Sequence, residues 1–176
     1  MKKLAMLTIA GIVAIAATAA ATDGFKQTIM AFLTGDEEVP IVLTTGRGTL
    51  VATINEDGTE IAYKLQYSGL EADATQAHIH VGQPRVNGGI SVWLCSNLAS
   101  PPTPAGTPAC PLREGEVEGV LTAAHVVGPT SQGIVAGDLR RLLFAIRKGN
   151  TYANIHTVRS PGGEIRSQIG HNTDHR

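Results

Sequence analysis

The sequence predicts an all-β fold, an antiparallel β-sandwich or barrel with one short amphipathic helix near residues 135–148. Three observations support this class. Apolar and polar residues alternate over short segments, which is typical of strands with one buried face. The chain has 20 glycines and 9 prolines, and they supply turn residues between these segments. A single segment has the apolar spacing of a helix.

The clearest predicted strand runs from Ile61 to Tyr67, where apolar side chains alternate with polar or small ones. The segment 48–55 precedes it, and residues 56–58 (EDG) supply a hairpin turn between the two. Six further segments have the same character: Gln27–Leu33, Gln76–Val81, Ile90–Cys95, Gly115–Ala123, Thr151–Val158 and Glu164–Ile169. Short strands separated by turns in this way indicate an antiparallel sandwich or barrel.

Residues 135–148 differ from the rest. Their apolar members recur at the spacing of one helix face: Val135, Leu139, Leu142, Leu143 and Ile146. Basic residues occupy the opposite face, and Gly149 is a natural C-terminal stop. We expect this helix to cover one open end or edge of the sheet.

Residues 1–21 have the pattern of a secretory signal peptide, with two lysines, an apolar run, and an A-x-A cleavage site at Ala19 and Ala21. The apolar run is too short to favour a permanent transmembrane helix. We therefore expect a periplasmic or secreted protein with no membrane span in its mature form. Residues 22–170 would form a single domain, and residues 171–176, which include two histidines, a flexible tail.

Composition excludes some classes of partner. The 14 Lys and Arg are balanced by 15 Asp and Glu, and the basic residues form no cluster, so we expect no nucleic acid partner. Aromatic residues make up 4 % of the chain, too few for a stacking platform. The acidic run of Asp36, Glu37 and Glu38 is either a cation-binding loop or, more simply, a solvated one.

The chain has two cysteines, Cys95 and Cys110. In an exported protein we expect them to form a structural disulfide, because the periplasm and the cell exterior are oxidising. Their spacing fits neither a zinc motif nor a thioredoxin-type motif. Closing the proline-rich segment between them should stabilise the fold by about 3 kcal/mol in the chain-entropy model.

The histidines indicate a metal site. His78 and His80 are two residues apart on a predicted strand, so their imidazoles point to the same side, about 7 Å apart at Cα. His156 lies on another predicted strand. Three imidazoles from two strands suit a copper ion, or zinc as the alternative, with one position left open to water or substrate. His78, His80 and His156 are therefore the candidate ligands.

Further residues are candidates for supporting roles. His125, which follows a predicted strand, is a fourth ligand candidate. Asn154 precedes His156 on the same strand face and is expected to support it. Arg166 shares a predicted strand face with Glu164. It is either an anion-steering charge near the site or the partner of Glu164 in a structural ion pair.

The histidines also have an interpretation without a metal. Imidazoles that face the interior of a small sandwich can form a neutral polar network with Asn154, Thr157 or backbone carbonyls. Such a network would fix the packing between strands and bind nothing.

Taken together, the motifs resemble the CHRD domain, a module named from chordin and common in exported bacterial proteins. The matching segments are AFLTGDEEVP, GRGTLVATI, AYKLQYSGL, AHIHVGQPRVNGGISVWLCSNL, GVLTAAHVVGP and GNTYANIHTVRSPGGEIRSQI. They run from about Ile29 to Ile169 in the order of the family. The resemblance implies a β-sandwich but no settled activity, and chordin uses such domains within a growth-factor-binding protein. His125 stands where the family pattern has Asp, and Ser167 where it has Gly.

The histidine motifs are also similar to those of copper–zinc superoxide dismutases, which have an H-x-H pair on one strand and a third copper ligand later in the chain. Arg166 falls roughly where that family has its anion-guiding arginine. This similarity implies a copper-type site on a dismutase-like or immunoglobulin-like Greek-key sandwich. The bridging histidine and the zinc-loop ligands have no counterpart here.

The first hypothesis is thus an exported CHRD-domain protein that binds copper through three histidines. The alternative is a non-catalytic interaction or structural envelope module whose partner is another exported protein. Dismutase-like or oxidase activity is a remote third reading, and whether the protein is an enzyme stays open.

Overall fold

The computed structural model describes residues 26–99 and 102–170. Within them, eight antiparallel strands form one sheet: β1 (Gln27–Thr34), β2 (Arg47–Ile54), β3 (Ile61–Ser68), β4 (Ala74–Val81), β5 (Gly89–Ser96), β6 (Gly115–Leu121), β7 (Thr151–Thr157) and β8 (Ile165–Ile169). One α-helix, α1 (Leu139–Arg147), lies between β6 and β7. The predicted signal peptide and the predicted tail lie outside the described residues.

The strands are ordered β5-β4-β7-β8-β1-β2-β3-β6. The two end strands, β5 and β6, lie near each other, so the sheet curls into a nearly closed barrel. Tyr63 on β3 links the two ends of the sheet, because its hydroxyl donates a 2.6 Å hydrogen bond to the Leu94 carbonyl on β5. The prediction of an all-β antiparallel fold is confirmed.

The apolar core fills the barrel because the strands alternate as the sequence predicts. On β3, every second residue from Ile61 is buried, and the residues between them are exposed. The same alternation holds on β1 and β2. Strand ends differ from the predicted ones by one or two residues, which is the ordinary uncertainty of a boundary.

The helix is shorter than the spacing predicts. It begins at Leu139, and the Asp138 carboxylate caps it by accepting a 3.1 Å hydrogen bond from the Arg141 amide. Gly137 has a φ of +84°, which is incompatible with a helix, so Val135 lies outside α1 and is exposed. The remaining apolar residues pack into the core, and Leu143 lies against Gly58 in the β2–β3 turn. The helix therefore covers one end of the barrel.

Cys95 and Cys110 form a disulfide, with an S–S distance of 2.07 Å. The bond ties the end of β5 to the segment that leads into β6. Among the helices in the described part of the chain, none combines the length and the apolar character needed to cross a membrane.

Strands β4, β7 and β8 are buried on both faces. On β4, Ala77, Ile79 and Val81 belong to the apolar core, so the alternate residues His78 and His80 point to the outer face of the barrel. They are nevertheless buried, because loops 35–46, 82–88 and 158–164 fold over this part of the sheet. A polar layer is thereby enclosed between the outer face and the loops.

Candidate metal centre

Three histidines meet in this enclosed layer. His78, His80 and His156 each offer a ring nitrogen, and these atoms all lie within 4.8 Å of one another. Pairing of β4 with β7 brings them together, since His78 is opposite Asn154 and His80 is opposite Tyr152 in the register. The convergence expected of an H-x-H strand and a neighbouring His strand is therefore present. The side chains face away from the core rather than into it.

Backbone carbonyls orient two of the rings. His80 Nδ1 lies 2.9 Å from the Gly88 carbonyl, and His156 Nδ1 lies 2.9 Å from the Pro161 carbonyl. A carbonyl only accepts, so each Nδ1 donates and each neutral ring keeps its lone pair on Nε2. Metal-bound histidines are typically held in this way, with the second ring nitrogen donating to a carbonyl or carboxylate. Each of these Nε2 atoms thus has a lone pair that can bind a cation.

His78 completes the cluster. Its Nδ1 lies 3.3 Å from His156 Nε2, close to the ~3.3 Å that separates two nitrogens on a tetrahedral ion with bonds of about 2.0 Å. In the described residues, Nε2 of His78 and Nε2 of His80 are buried without a hydrogen-bond partner. Trp93 packs against the His78 ring at a centroid distance of 4.3 Å and closes this side of the cluster.

Asn154 lies between two of the histidines on the outer face. Its Oδ1 is 3.0 Å from His156 Nε2, while the other nitrogen of the same ring faces the Pro161 carbonyl. A neutral imidazole has a single N–H, so it cannot donate to both oxygens. If His156 donates to the Pro161 carbonyl, its Nε2 and the Asn154 oxygen are two acceptors in contact. This contact is relieved when a cation lies at Nε2 or when the Asn154 amide turns over.

Burial keeps the three rings neutral. Burial, with a smaller contribution from the neighbouring rings, lowers the pKa of His78 to about 2 and that of His80 to about 4. The pKa of His156 is lowered as well, again chiefly by burial. Neutral imidazoles are the form that binds metals. His78 and His80 therefore stay in their metal-binding form well below neutral pH.

Tyr152 and Arg166 extend the layer beside His80. The Tyr152 ring stacks on His80, and the Arg166 guanidinium carbon lies 3.4 Å from the Tyr152 ring centroid. Arg166 also donates to the Asn87 side chain and to the Val86 carbonyl, both at 2.9 Å. It is only 1 % exposed, so an anion in solvent does not touch it in this conformation.

Glu164 lies apart from Arg166. Its carboxylate accepts hydrogen bonds of 2.7–2.8 Å from the Thr44 and Thr157 hydroxyls and from the Glu71 amide. The salt bridges between described residues include no pair of Glu164 with Arg166. The carboxylate instead ties the loops that contain Thr44 and Glu71 to the end of β7.

His125 lies outside the three-histidine cluster. Its Nδ1 accepts hydrogen bonds from the amide and the hydroxyl of Thr122, which caps a short turn at Ala123–His125. The ring lines a surface cleft between β5 and β6, where Trp93 forms part of the wall. Trp93 thus contributes to the cleft that contains His125 and also packs against the His78 ring.

Glu38 belongs to the enclosed layer although the sequence places it in an acidic loop. It is only 4 % exposed, so the expectation of a solvated loop is wrong for this residue. Burial raises the pKa of Glu38 to about 7, against the opposing charge of Arg166 and the amide of Asn154. Its Oε1 is buried without a hydrogen-bond partner. No local pattern marks it, since the loop that buries it is positioned by distant contacts such as Asn87 with the Val39 carbonyl.

Comparison with known proteins gives one match. The CHRD domain family profile matches residues 29–169, which cover every strand of the barrel except the first two residues of β1. No curated protein and no solved structure matches the chain.

Proposed function

The chain belongs to the CHRD domain family, and we propose that its barrel binds a single transition-metal ion, copper with zinc as the alternative, through His78, His80 and His156. The observation that carries the proposal is the convergence of one ring nitrogen from each histidine, with His80 Nε2 unpartnered among the described residues and His156 Nε2 facing the Asn154 oxygen. Leaving a buried polar atom without a partner costs about 1–3 kcal/mol, and a cation at the centre of the cluster would bind both of these lone pairs.

The surroundings of the cluster support a metal over a purely structural network. Two rings are fixed by backbone carbonyls with their lone pairs turned inward, and the rings are neutral. In a structural network we would expect each inner nitrogen to face a donor. Instead, His156 Nε2 faces the Asn154 carbonyl oxygen at 3.0 Å as well as His78 Nδ1 at 3.3 Å, and in the described residues His80 Nε2 faces no partner.

Three imidazoles leave one position for water or a small ligand in a four-coordinate site. An all-nitrogen donor set admits copper, zinc or nickel, and copper binds most tightly of the divalent ions in the usual order of affinities. Redox chemistry such as superoxide dismutation would need an anion to reach the ion. Arg166 is buried and engaged with Asn87, which gives no support to anion steering.

We further propose that the protein is exported to the periplasm or the cell exterior. The Cys95–Cys110 disulfide supports this, because disulfides persist in oxidising compartments. The pattern of residues 1–21 supports it as well, although those residues lie outside the described structure.

Isothermal titration with Cu(II) and Zn(II) tests the proposal on protein purified without a polyhistidine tag. We expect one ion per chain with a Kd below about 10 μM. His78→Ala and His156→Ala should each weaken binding at least tenfold. His125→Ala is the matched control, since it removes an imidazole outside the cluster and should leave the affinity unchanged. Absence of binding by the unmodified protein would reject the metal site.

The rival function is a metal-free module that binds another exported protein or packs within the envelope. The stacked His80–Tyr152 pair and the His78–Trp93 contact favour it, because they pack the histidines among aromatic rings as a core would. Elemental analysis of the isolated protein separates the two functions. A protein without copper or zinc, whose melting temperature is unchanged when either ion is added, would support the rival.

A further inference from the structure

Glu38 is the one carboxyl group enclosed with the candidate metal centre in the described structure that is left without a firm partner. Glu164, the other buried carboxylate, accepts three hydrogen bonds, whereas Oε1 of Glu38 accepts none. The charged and titratable groups around Glu38 are Arg166 on β8, Tyr152 on β7 and Glu37 on the same loop. Arg166 is not within salt-bridge distance of it, since the salt bridges of the described residues do not include this pair.

A glycine allows this carboxyl group to approach Asn154. A Cβ atom on Gly163 would lie 2.3 Å from Glu38 Oε1 and 2.8 Å from Asn154 Nδ2. Both polar atoms therefore lie over the same bare Cα, and any side chain there would separate them. Asn154 in turn presents its other polar atom to His156 Nε2. The amide thus connects the carboxyl group to a metal-binding nitrogen.

Donor and acceptor counting along this connection gives two consistent arrangements. Without a cation, the lone pair on His156 Nε2 can accept from His78 Nδ1 at 3.3 Å, but it repels the Asn154 oxygen at 3.0 Å. The Asn154 NH₂ therefore turns towards Nε2, and the amide oxygen turns towards Glu38. Two oxygens can then share a hydrogen bond only if Glu38 is protonated. With a cation on Nε2, the amide oxygen can face the ion, and the NH₂ donates to an ionised Glu38. The structure has the amide in the second orientation.

We propose that Glu38 is the counter-charge of the metal centre: it holds a proton while the three histidines are empty and releases that proton to solvent when a divalent cation binds, as the Asn154 amide turns over. This inference rests on the proposed metal site and adds a residue to it. The proton balance is simple, because one O–H bond of Glu38 breaks for each cation bound and the carboxylate offsets one of its two charges.

The raised pKa of Glu38 is consistent with this exchange. A value of about 7 makes both protonation states accessible near neutral pH. A cation held by three neutral imidazoles inside a buried layer would otherwise have as counter-charges Glu164, whose carboxylate is already engaged in three hydrogen bonds, and the Asp and Glu side chains of the surface. The carboxylate of Glu38 supplies one within the layer, where charges interact more strongly than in water.

Zinc titration in two buffers of different ionisation enthalpy measures the protons released on binding and avoids redox side reactions. At about pH 6 we expect the unmodified protein to release close to one proton per zinc ion, and at about pH 8.5 far fewer. Glu38→Gln should release none from this group at either pH, and its affinity at about pH 8.5 should fall about tenfold. Glu37→Gln is the matched control, because Glu37 is exposed on the same loop and should behave as the unmodified protein.

Unchanged affinity and proton release in Glu38→Gln would overturn the inference and leave the metal site standing. No zinc binding by the unmodified protein would remove the inference together with the proposed function. If Glu38→Gln does not fold, difference infrared spectroscopy of the unmodified protein decides. Loss of a protonated-carboxyl band on zinc addition at about pH 6 supports the inference, and no change in that band overturns it.

Discussion

The imidazole of His80 lies parallel to the phenol ring of Tyr152, with 4.7 Å between ring centroids and 3° between ring planes. The guanidinium of Arg166 lies 3.4 Å from the centroid of the same phenol ring. The two groups cannot share one face at these distances, so Tyr152 is held between them. Stacking and the Gly88 carbonyl together fix the orientation of His80.

Replacing Tyr152 is expected to loosen His80. Tyr152→Leu removes the stacked surface on both sides, and we expect zinc affinity to fall about tenfold, as for other residues that support a metal-binding histidine. Tyr152→Phe keeps the ring and loses only the hydroxyl, which accepts a 3.1 Å hydrogen bond from the Gly88 amide. Its affinity should stay close to that of the unmodified protein, with a loss of about 1 kcal/mol in stability. Calorimetric titration measures the zinc affinities of both variants. Equal affinities of Tyr152→Leu and Tyr152→Phe would show that stacking does not position His80.

The strands of this barrel were predictable because the signal is local. In β3, four buried and four exposed residues alternate without exception, so eight residues are enough to indicate both the strand and its inner face. The same periodicity predicts that His78 and His80 share a face. The sequence does not show whether the face with His78 and His80 points into the barrel or away from it. The alternate residues Ala77, Ile79 and Val81 are apolar, but both faces of this strand are buried, so burial does not distinguish the two.

The parts of the site that could not be predicted come from the loops. Glu38 reads as one of three solvated acids, and only the folded position of loop 35–46 buries it. Trp93 and Tyr152 read as ordinary strand aromatics, and their contacts with His78 and His80 depend on how β5, β4 and β7 pair. The ion pair considered for Glu164 and Arg166 failed to form because Glu164 precedes β8 and turns to Thr44 and Thr157 instead.

Acidification is expected to destabilise the metal-free fold. His78 and His80 stay neutral in the folded protein down to their lowered pKa values of about 2 and about 4, but the unfolded chain protonates them near 6.5. Below pH 6.5 the unfolded state therefore binds more protons. The free energy of unfolding should fall towards pH 4 by up to about 1.4 kcal/mol per pH unit for each histidine. Urea unfolding at about pH 7 and about pH 5 measures how much the free energy of unfolding falls between these two pH values. His80→Gln should reduce this fall.

Glu38 acts in the opposite direction and provides an internal check. Because the pKa of Glu38 is raised to about 7 from 4.5, the folded state takes up its proton first as the pH falls between these values. Its contribution to stability is full below 4.5 and is lost as the pH rises through 7. Glu38→Gln should therefore steepen the acid destabilisation measured in urea. If the pH dependence of the free energy of unfolding is unchanged in both His80→Gln and Glu38→Gln, neither side chain has a different pKa in the folded and unfolded states.

Removing the disulfide is expected to lower stability without abolishing the metal site. Cys95 and Cys110 are 15 residues apart, and closing a loop of this length contributes about 3 kcal/mol in the chain-entropy model. The double variant Cys95→Ala/Cys110→Ala should unfold at a lower urea concentration and still bind zinc, because the bond is not among the groups that contact the histidines. Loss of zinc binding in a variant with a normal circular dichroism spectrum would contradict this separation.

Gly163 provides the most direct test of the approach between Glu38 and Asn154. Its φ of +125° already disfavours any other residue, and an added Cβ would lie within 3.0 Å of both polar groups. Gly163→Ala should therefore displace Glu38 or Asn154, lower the melting temperature and weaken zinc binding. Gly162→Ala is the matched control, since a Cβ there meets nothing within 4 Å. If the two variants bind zinc equally well, the contact over Gly163 has no part in the metal centre. If Gly163→Ala binds zinc more weakly and Gly162→Ala does not, zinc binding depends on the contact of Glu38 and Asn154 over Gly163.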